Sequence, residues 1–254
     1  KYWISNYGLP SYLVPGKEHV YIHTWHGKPL KKIGAIINGH KIAAKSKRQM
    51  VKQYRNNGKR VTKLLSPAPV FTNVMGQAFC VPEKLSESKI VETGYPRNDF
   101  LFKYTDQDVL RVKMSLGIPL DKKVALYTPT WRESNYVGDG KRYQITGYQY
   151  NSKIDFRKFA NQLGNEYVIL FRAHDHEAKS VDFSELHDVV IDVTKVMDIN
   201  ELYIISDIMI SDYSGAIFDF ANLRRPMILY AYDREEYEKI PGLNFNLDAI
   251  PATI

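Results

Sequence analysis

Short apolar runs bounded by turn residues punctuate the chain: HVYIHT, RVTKLLSP, SKIVETG, KVALYTPT, EYVILFRAH, HDVVIDV, SDIMISD and RPMILYAYD. They are rich in Val, Ile, Leu and Tyr and lack strict polar alternation, which predicts strands covered on both faces. Between them the apolar spacing becomes helical. DQDVLRVKMSLGI puts Val109, Leu110, Val112, Met114 and Leu116 on a helix, with Asp106 as its predicted cap and Gly117 as its stop. IDFRKFANQLGN, DINELYIISD and SGAIFDFANLRRP follow the same rule. Strands alternating with helices predict parallel sheets with crossover connections, an α/β class.

Gly, Pro, Asn and Asp cluster over residues 92–107, between two such series. This predicts an N-terminal lobe over 1–98, too short to be complete, and a C-terminal lobe over 99–254. The stretch 132–153 reads as a long polar, aromatic-rich insertion after a strand, the kind of loop that is functional or unstructured. The chain begins on Lys1 and stops in LNFNLDAIPATI without a closing helix, so it is expected to be part of a longer polypeptide.

The 254 residues are 44% hydrophobic, ample for a core, and carry 35 basic against 28 acidic side chains, a net +7. That balance points to an acidic partner without choosing one. No run of about 18 apolar residues is present to span a bilayer. A single cysteine, Cys80, leaves no internal disulfide, which suits a reducing compartment. The basic segment 41–63 places Ala43, Met50, Val51 and Tyr54 on one face of an amphipathic helix, leaving a solvated cationic face. Such a face suits anionic lipid. It lacks the aromatic spacing of a nucleic-acid stacking platform.

In open α/β sheets ligands collect at the carboxyl ends of strands. There this chain presents His23, Thr24, Trp25, His26 and Gly27; then Thr128, Pro129, Thr130, Trp131 and Arg132; then Arg172, Ala173, His174, Asp175 and His176; then Ser211, Asp212, Tyr213, Ser214 and Gly215. Recurrence at four strand ends is the strongest chemical pattern in the sequence. In MISDYSGAIFDF, Ser214 is placed to cap a helix whose free N–H groups would seat an anion, with Asp219 within reach of a ribose. An ordinary capped helix with a solvated acid accounts for the same residues. His26 beside Trp25 fits a packed side chain as well as a functional one, and Arg172 fits an ion pair with Asp175 as well as an anion contact. The histidine spacings lack a cysteine pair or a helical His-Glu pattern, so no metal site is predicted. Gly-x-Ser-x-Gly, Walker and Gly-x-Gly-x-x-Gly patterns are absent, which disfavours a serine hydrolase, a P-loop ATPase and a dinucleotide oxidoreductase.

WHGKPLK (25–31), GYPRND (94–99), TPTWR (128–132), RAH (172–174), SDYSGAIFD (211–219) and RRPMILYAYD (224–233) together resemble the CDP-glycerol glycerophosphotransferase family in their order along the chain. This is the family of teichoic acid primases and polymerases, with ribitol-phosphate relatives, and the resemblance covers about residues 20–245. It implies a glycosyltransferase-B-like architecture of two Rossmann-like lobes with parallel sheets, the C-terminal lobe holding the nucleotide. It also implies a CDP-alditol donor, glycerol or ribitol; no cofactor is identified, and no carboxylate pair stands out as a metal clamp. The implied acceptor is a lipid-linked glycan or polyol-phosphate chain at the cytoplasmic face of a bacterial membrane, with an anionic membrane surface as a further partner and no nucleic acid.

Position by position, the resemblance makes His26 and His174 catalytic and assigns the donor to Trp25, Gly27, Lys28, Pro29, Arg97, Pro129, Thr130, Arg172, Ser214, Gly215 and Asp219. Two positions depart from the family pattern. Lys28 replaces a threonine beside the reaction centre, and Gly215 replaces a second serine while keeping its backbone donor. The implied reaction is attack of an acceptor hydroxyl on the alditol-linked phosphorus, expelling CMP, with His26 as base. Arg97, Arg172 and the 214–215 turn would neutralise the pyrophosphate, and His174 would bind the phosphate or protonate the leaving oxygen. Two other readings stand beside it: a non-catalytic basic binding module, and a transferase using another nucleotide sugar.

Overall fold

A computed structural model describes residues 1–39, 41–42, 45–130, 136–137, 147–148, 153–173 and 182–253. The chain forms two compact units: Lys1–Asp99 with Tyr232–Ala249, and Phe100–Ala231 with Ile250–Ile254. The first division falls beside the predicted boundary. The expected second lobe over 99–254 is interrupted, because Tyr232–Ala249 packs with unit 1. Backbone pairing holds that return: Lys32 N–H donates to Gly242 O at 2.8 Å, Asn38 N–H to Pro241 O at 2.9 Å and Asn244 N–H to Leu30 O at 2.8 Å. The Asn244 amide also donates to Pro29 O and Lys31 O, at 2.9 and 3.0 Å. Local sequence patterns carry no trace of such distant pairing.

Unit 1 holds a four-stranded parallel sheet: β1 (Tyr2–Ser5), β2 (Val20–His23), β3 (Lys63–Ser66) and β4 (Ile90–Glu92), in spatial order β1-β2-β3-β4. The register sets Ser5 opposite His23. Helix α1 (Lys47–Arg60) starts at a capping box, in which Ser46 accepts from Gln49 N–H and the Gln49 side chain accepts from Ser46 N–H. Helix α2 (Pro69–Ala78) starts with proline at its first position, where no N–H is needed. Gly58 on α1 sits so close to Phe79 that an added Cβ would stand 2.1 Å from its carbonyl oxygen, so only glycine fits there.

Unit 2 holds β5 (Lys123–Thr128), β6 (Tyr167–Phe171), β7 (Val190–Asp192), β8 (Ile208–Ser211) and β9 (Met227–Leu229), all parallel, in order β7-β6-β5-β8-β9. Val124 to Tyr127 and Val168 to Phe171 are buried throughout, which is why these strands read as unbroken apolar runs. The order reverses between β5 and β8, the crevice where doubly wound sheets bind ligands.

The unit's helices include α3 (Asp106–Ser115), α4 (Phe156–Leu163), α5 (Ile199–Ile205) and α6 (Ala216–Phe220). The cap of α3 is Thr105, whose hydroxyl accepts from Asp108 N–H. Asp106 is therefore its first helical residue instead of the predicted cap, and Gly117 takes the left-handed turn past its end at φ +68°. Among the described residues no helix is long and apolar enough to cross a membrane.

Arg225 closes the carboxyl end of α5. Its guanidinium donates to the carbonyls of Tyr203, Ile204 and Ser206 at 3.3, 2.8 and 2.6 Å, and to the Tyr104 hydroxyl at 3.0 Å. A cation there meets the last carbonyls of the helix and the negative end of its dipole. Arg225→Ala is expected to lower unfolding free energy by about 2 kcal/mol, the scale of charge-assisted hydrogen bonds, and Arg225→Lys by less. Urea denaturation of the three proteins checks the order.

Candidate active site

The unit 1 cluster grows from the ends of two adjacent strands. Ser5 O, at the end of β1, accepts from Thr24 N–H at 3.0 Å and contacts His23 Nδ1 at 3.0 Å. The next carbonyl, Asn6 O, lies 2.9 Å from His26 Nδ1. A carbonyl only accepts, so both imidazoles carry their proton on Nδ1. The consequences differ with burial. His23 is fully buried, burial pushes its pKa down, and its Nε2 is sealed without a partner. His26 is exposed, which leaves Nε2 as an open acceptor.

Trp25 supplies the turn between them. Its φ of +58° puts a bulky residue in the left-handed region, a strain of roughly 1–3 kcal/mol that its surroundings must hold. The ring is wedged edge-on against His23 (5.8 Å), Phe79 (5.3 Å) and Tyr54 (5.7 Å). It also lies 3.9 Å from the His26 ring, while Tyr7 stacks on His26 at 4.8 Å. The His26 ring thus lies between half-buried Trp25 and exposed Tyr7, with Trp25 itself set against buried His23 and Phe79.

Arg97 and Tyr95 brace the loop from β4. Arg97 Nη1 donates to His26 O at 2.8 Å, and the Tyr95 hydroxyl donates to Gly27 O at 3.0 Å. Arg97 also lies over the Tyr95 ring at 5.3 Å. Pro29 is buried and accepts from Asn244, while Lys28 is half-buried. Trp25, His26, Gly27, Lys28, Pro29 and Arg97 thus form one cluster within unit 1. Gly27 has open space where a Cβ would stand. Tyr95 and Asn6 were not predicted. Tyr95 lies inside GYPRND, whereas Asn6 acts through its carbonyl, which no side-chain pattern reveals.

In unit 2 the β5 and β8 ends are laced together at the switch point. The Thr128 hydroxyl donates to Ser211 Oγ at 3.1 Å, and Ser211 Oγ donates to Thr128 O at 2.7 Å. Asp212, only 2% exposed, accepts on Oδ1 from Thr130 N–H at 2.9 Å and from Tyr213 N–H at 2.6 Å. One buried carboxylate oxygen therefore joins the Pro129–Thr130 loop to the turn carrying Ser214 and Gly215. Asp212 was missing from the predicted site, because an acid between a strand and a serine looks like any turn residue.

The predicted helix at Ser214 is short: α6 runs only from Ala216 to Phe220, with Gly215 at the capping position. Ser214 Oγ accepts from Ala216 N–H at 3.2 Å. Asp219 lies on α6 and is 3% exposed. Arg172 Nη1 donates to Val193 O and Val196 O at 3.4 and 2.7 Å, so part of its guanidinium braces the loop after β7. His174, and most of the 132–153 insertion, lie outside the described residues. Among the described residues no group of three or more His, Cys, Asp or Glu gathers to hold a metal.

The family model described as CDP-glycerol:poly(glycerophosphate) glycerophosphotransferase matches residues 1–254. The chain is 36% identical over 250 residues to a teichoic acid poly(glycerol phosphate) polymerase of Bacillus spizizenii, covering 98% of this chain and 61% of that protein. It is 40% identical over 239 residues to a teichoic acid glycerol-phosphate transferase of Staphylococcus aureus, covering 93% and 58%. The wall teichoic acid polymerase TagF, solved as a histidine-to-asparagine variant soaked with CDPG, aligns at a TM-score of 0.88 and 33% identity, covering all of this chain and 60% of that one. The chain thus spans about three fifths of these relatives. The architecture is glycosyltransferase-B-like, α/β with two Rossmann-like units. Both the motifs and the full-length match lead to one conclusion: the chain belongs to the CDP-glycerol:poly(glycerophosphate) glycerophosphotransferase family.

Proposed function

We propose that this chain transfers glycerol phosphate from CDP-glycerol to a hydroxyl of a polyol-phosphate acceptor, releasing CMP, in bacterial teichoic acid synthesis. The observation that carries the reading is His26, held through Nδ1 on Asn6 O with Nε2 open at a strand end. The relatives matched over nearly the whole chain are named for glycerol phosphate, which favours glycerol over ribitol.

In the proposed step an acceptor oxygen forms a bond to the glycerol-linked phosphorus. The bond from that phosphorus to the bridging oxygen breaks, and CMP leaves with the electron pair. His26 Nε2 takes the acceptor proton as general base. Positioning and charge neutralisation carry most of the burden in phosphoryl transfer. Thr130, Ser214, Gly215 and, as the family resemblance implies, Asp219 are assigned to the donor, with Asp212 as the acid that ties the Thr130 loop to their turn. Arg97 and Tyr95 keep the His26 loop in place, and Lys28 adds a cation to it. His174 is proposed as the phosphate-side partner, as the family resemblance implies. The proposed location is the cytoplasmic face of the membrane, where a lipid-linked acceptor would be presented.

CMP release from CDP-glycerol with a defined polyol-phosphate acceptor tests the reaction, with CDP-ribitol and UDP-sugars as competing donors. Turnover with a UDP-sugar alone would overturn the donor assignment. His26→Ala is expected to cut turnover by about 100-fold or more, the scale of lost acid–base help, with its unfolding transition retained; wild-type CMP release would remove His26 from the role. Asp212→Ala is expected to weaken CDP-glycerol binding, read as a smaller ligand-induced thermal shift, because two backbone donors lose their acceptor. Asp212→Asn keeps an acceptor oxygen and is expected to retain most of the shift.

A further inference from the structure

We infer that the exposed face of α1 is a docking strip for the polyanionic polyol-phosphate chain that serves as acceptor. The inference rests on the glycerol-phosphate transferase reading and assigns that reaction an acceptor surface. Residues 41–63 carry nine Lys or Arg and no Asp or Glu, whereas the whole chain nets +7, so all remaining residues together net −2. The cationic character of this protein is concentrated in one segment.

Within that segment Arg48, Lys52, Arg55 and Lys59 follow one another at intervals of four, three and four residues, and all four are exposed. That spacing sets them along one side of the helix. At 1.5 Å per residue the strip is about 16 Å long, with a charge roughly every 5–6 Å. Such a spacing matches a chain whose successive phosphates are separated by a three-carbon bridge. Among the described residues none of the four makes an ion pair. The opposite side of α1 is used inward: Met50, Val51 and Tyr54 are half-buried, and Asn57 and Gly58 are buried.

Two observations choose the partner. A helix that lies in a lipid interface inserts large apolar side chains, and α1 has none among its exposed residues. A hydrophilic polyanion needs only the charges. The second observation is placement. Tyr54, on the inward side of α1, packs against Trp25 at 5.7 Å, and Trp25 lies 3.9 Å from the His26 ring. The strip is therefore carried by the helix that buttresses the proposed base, where a growing chain would be retained between additions.

The test compares the full chain with the variant Arg48→Gln/Lys52→Gln/Arg55→Gln/Lys59→Gln and with the charge-keeping variant Arg48→Lys/Arg55→Lys. Binding of a poly(glycerol phosphate) of defined length, of phosphatidylglycerol vesicles and of CDP-glycerol is measured on each. The glutamine variant is expected to bind the polymer at least 10-fold more weakly, with vesicle binding unchanged, while the lysine variant binds polymer like the wild type. Unchanged polymer affinity in the glutamine variant overturns the proposal. So does loss of vesicle binding alone, which would make the strip a membrane contact, or equal loss of both, which would make it a generic polyanion surface. CDP-glycerol separates the two levels. Failure of the wild type to bind it would sink the transferase reading itself, whereas intact donor binding with unchanged polymer affinity sinks only the docking strip.

Discussion

Two neighbouring carbonyls at the end of an edge strand decide what the His26 loop can do. Ser5 O and Asn6 O each engage an imidazole Nδ1, at 3.0 and 2.9 Å, and an oxygen that can only accept dictates the tautomer of both rings. One histidine is spent on structure: His23 is buried and held neutral, with its ring edge against Trp25. The other is left with an open Nε2. The left-handed Trp25 between them is tolerable because His23, Tyr54 and Phe79 surround its ring. Removing any of these supports would relax the strained turn before it touched the chemistry.

Unit 2 solves a different problem with the same economy. Its sheet reverses order between β5 and β8, and the loops leaving those strands would splay apart without a link. Asp212 supplies that link through one oxygen, and the Thr128–Ser211 pair repeats it one layer deeper. The Thr130 and Tyr213 backbone N–H groups are thus held on one buried carboxylate oxygen before any ligand binds. The segment Tyr232–Ala249 adds a third device in unit 1, tying Pro29 to Lys32 through Gly242 and Asn244.

The strands of unit 2 were plain in the sequence because burial on both faces leaves no polar interruptions. β1 was not, since YWIS is four residues long and alternates exposed with half-buried positions at the sheet edge. Side-chain chemistry at strand ends pointed to the His26 loop and to the 128–130 and 211–215 turns. What it could not reveal were roles played by backbone atoms and by distant partners. Asn6 works through its carbonyl, Arg172 is drawn partly to Val193 and Val196 carbonyls, and the contacts of Asn244 span more than two hundred residues. Thr105 displaced Asp106 as a cap because both residue types cap well and only the backbone geometry chooses between them.

The tautomer of the His26 ring, on which the open Nε2 depends, can be measured directly. Long-range ¹H–¹⁵N correlation spectra of the imidazole nitrogens, assigned by comparison with a His26→Ala sample, distinguish a protonated from an unprotonated Nε2 in the neutral ring. The proton is expected on Nδ1, with Nε2 unprotonated. A proton on Nε2 in the neutral ring would mean that Asn6 O does not hold the imidazole, and His26 could not then accept a proton as described.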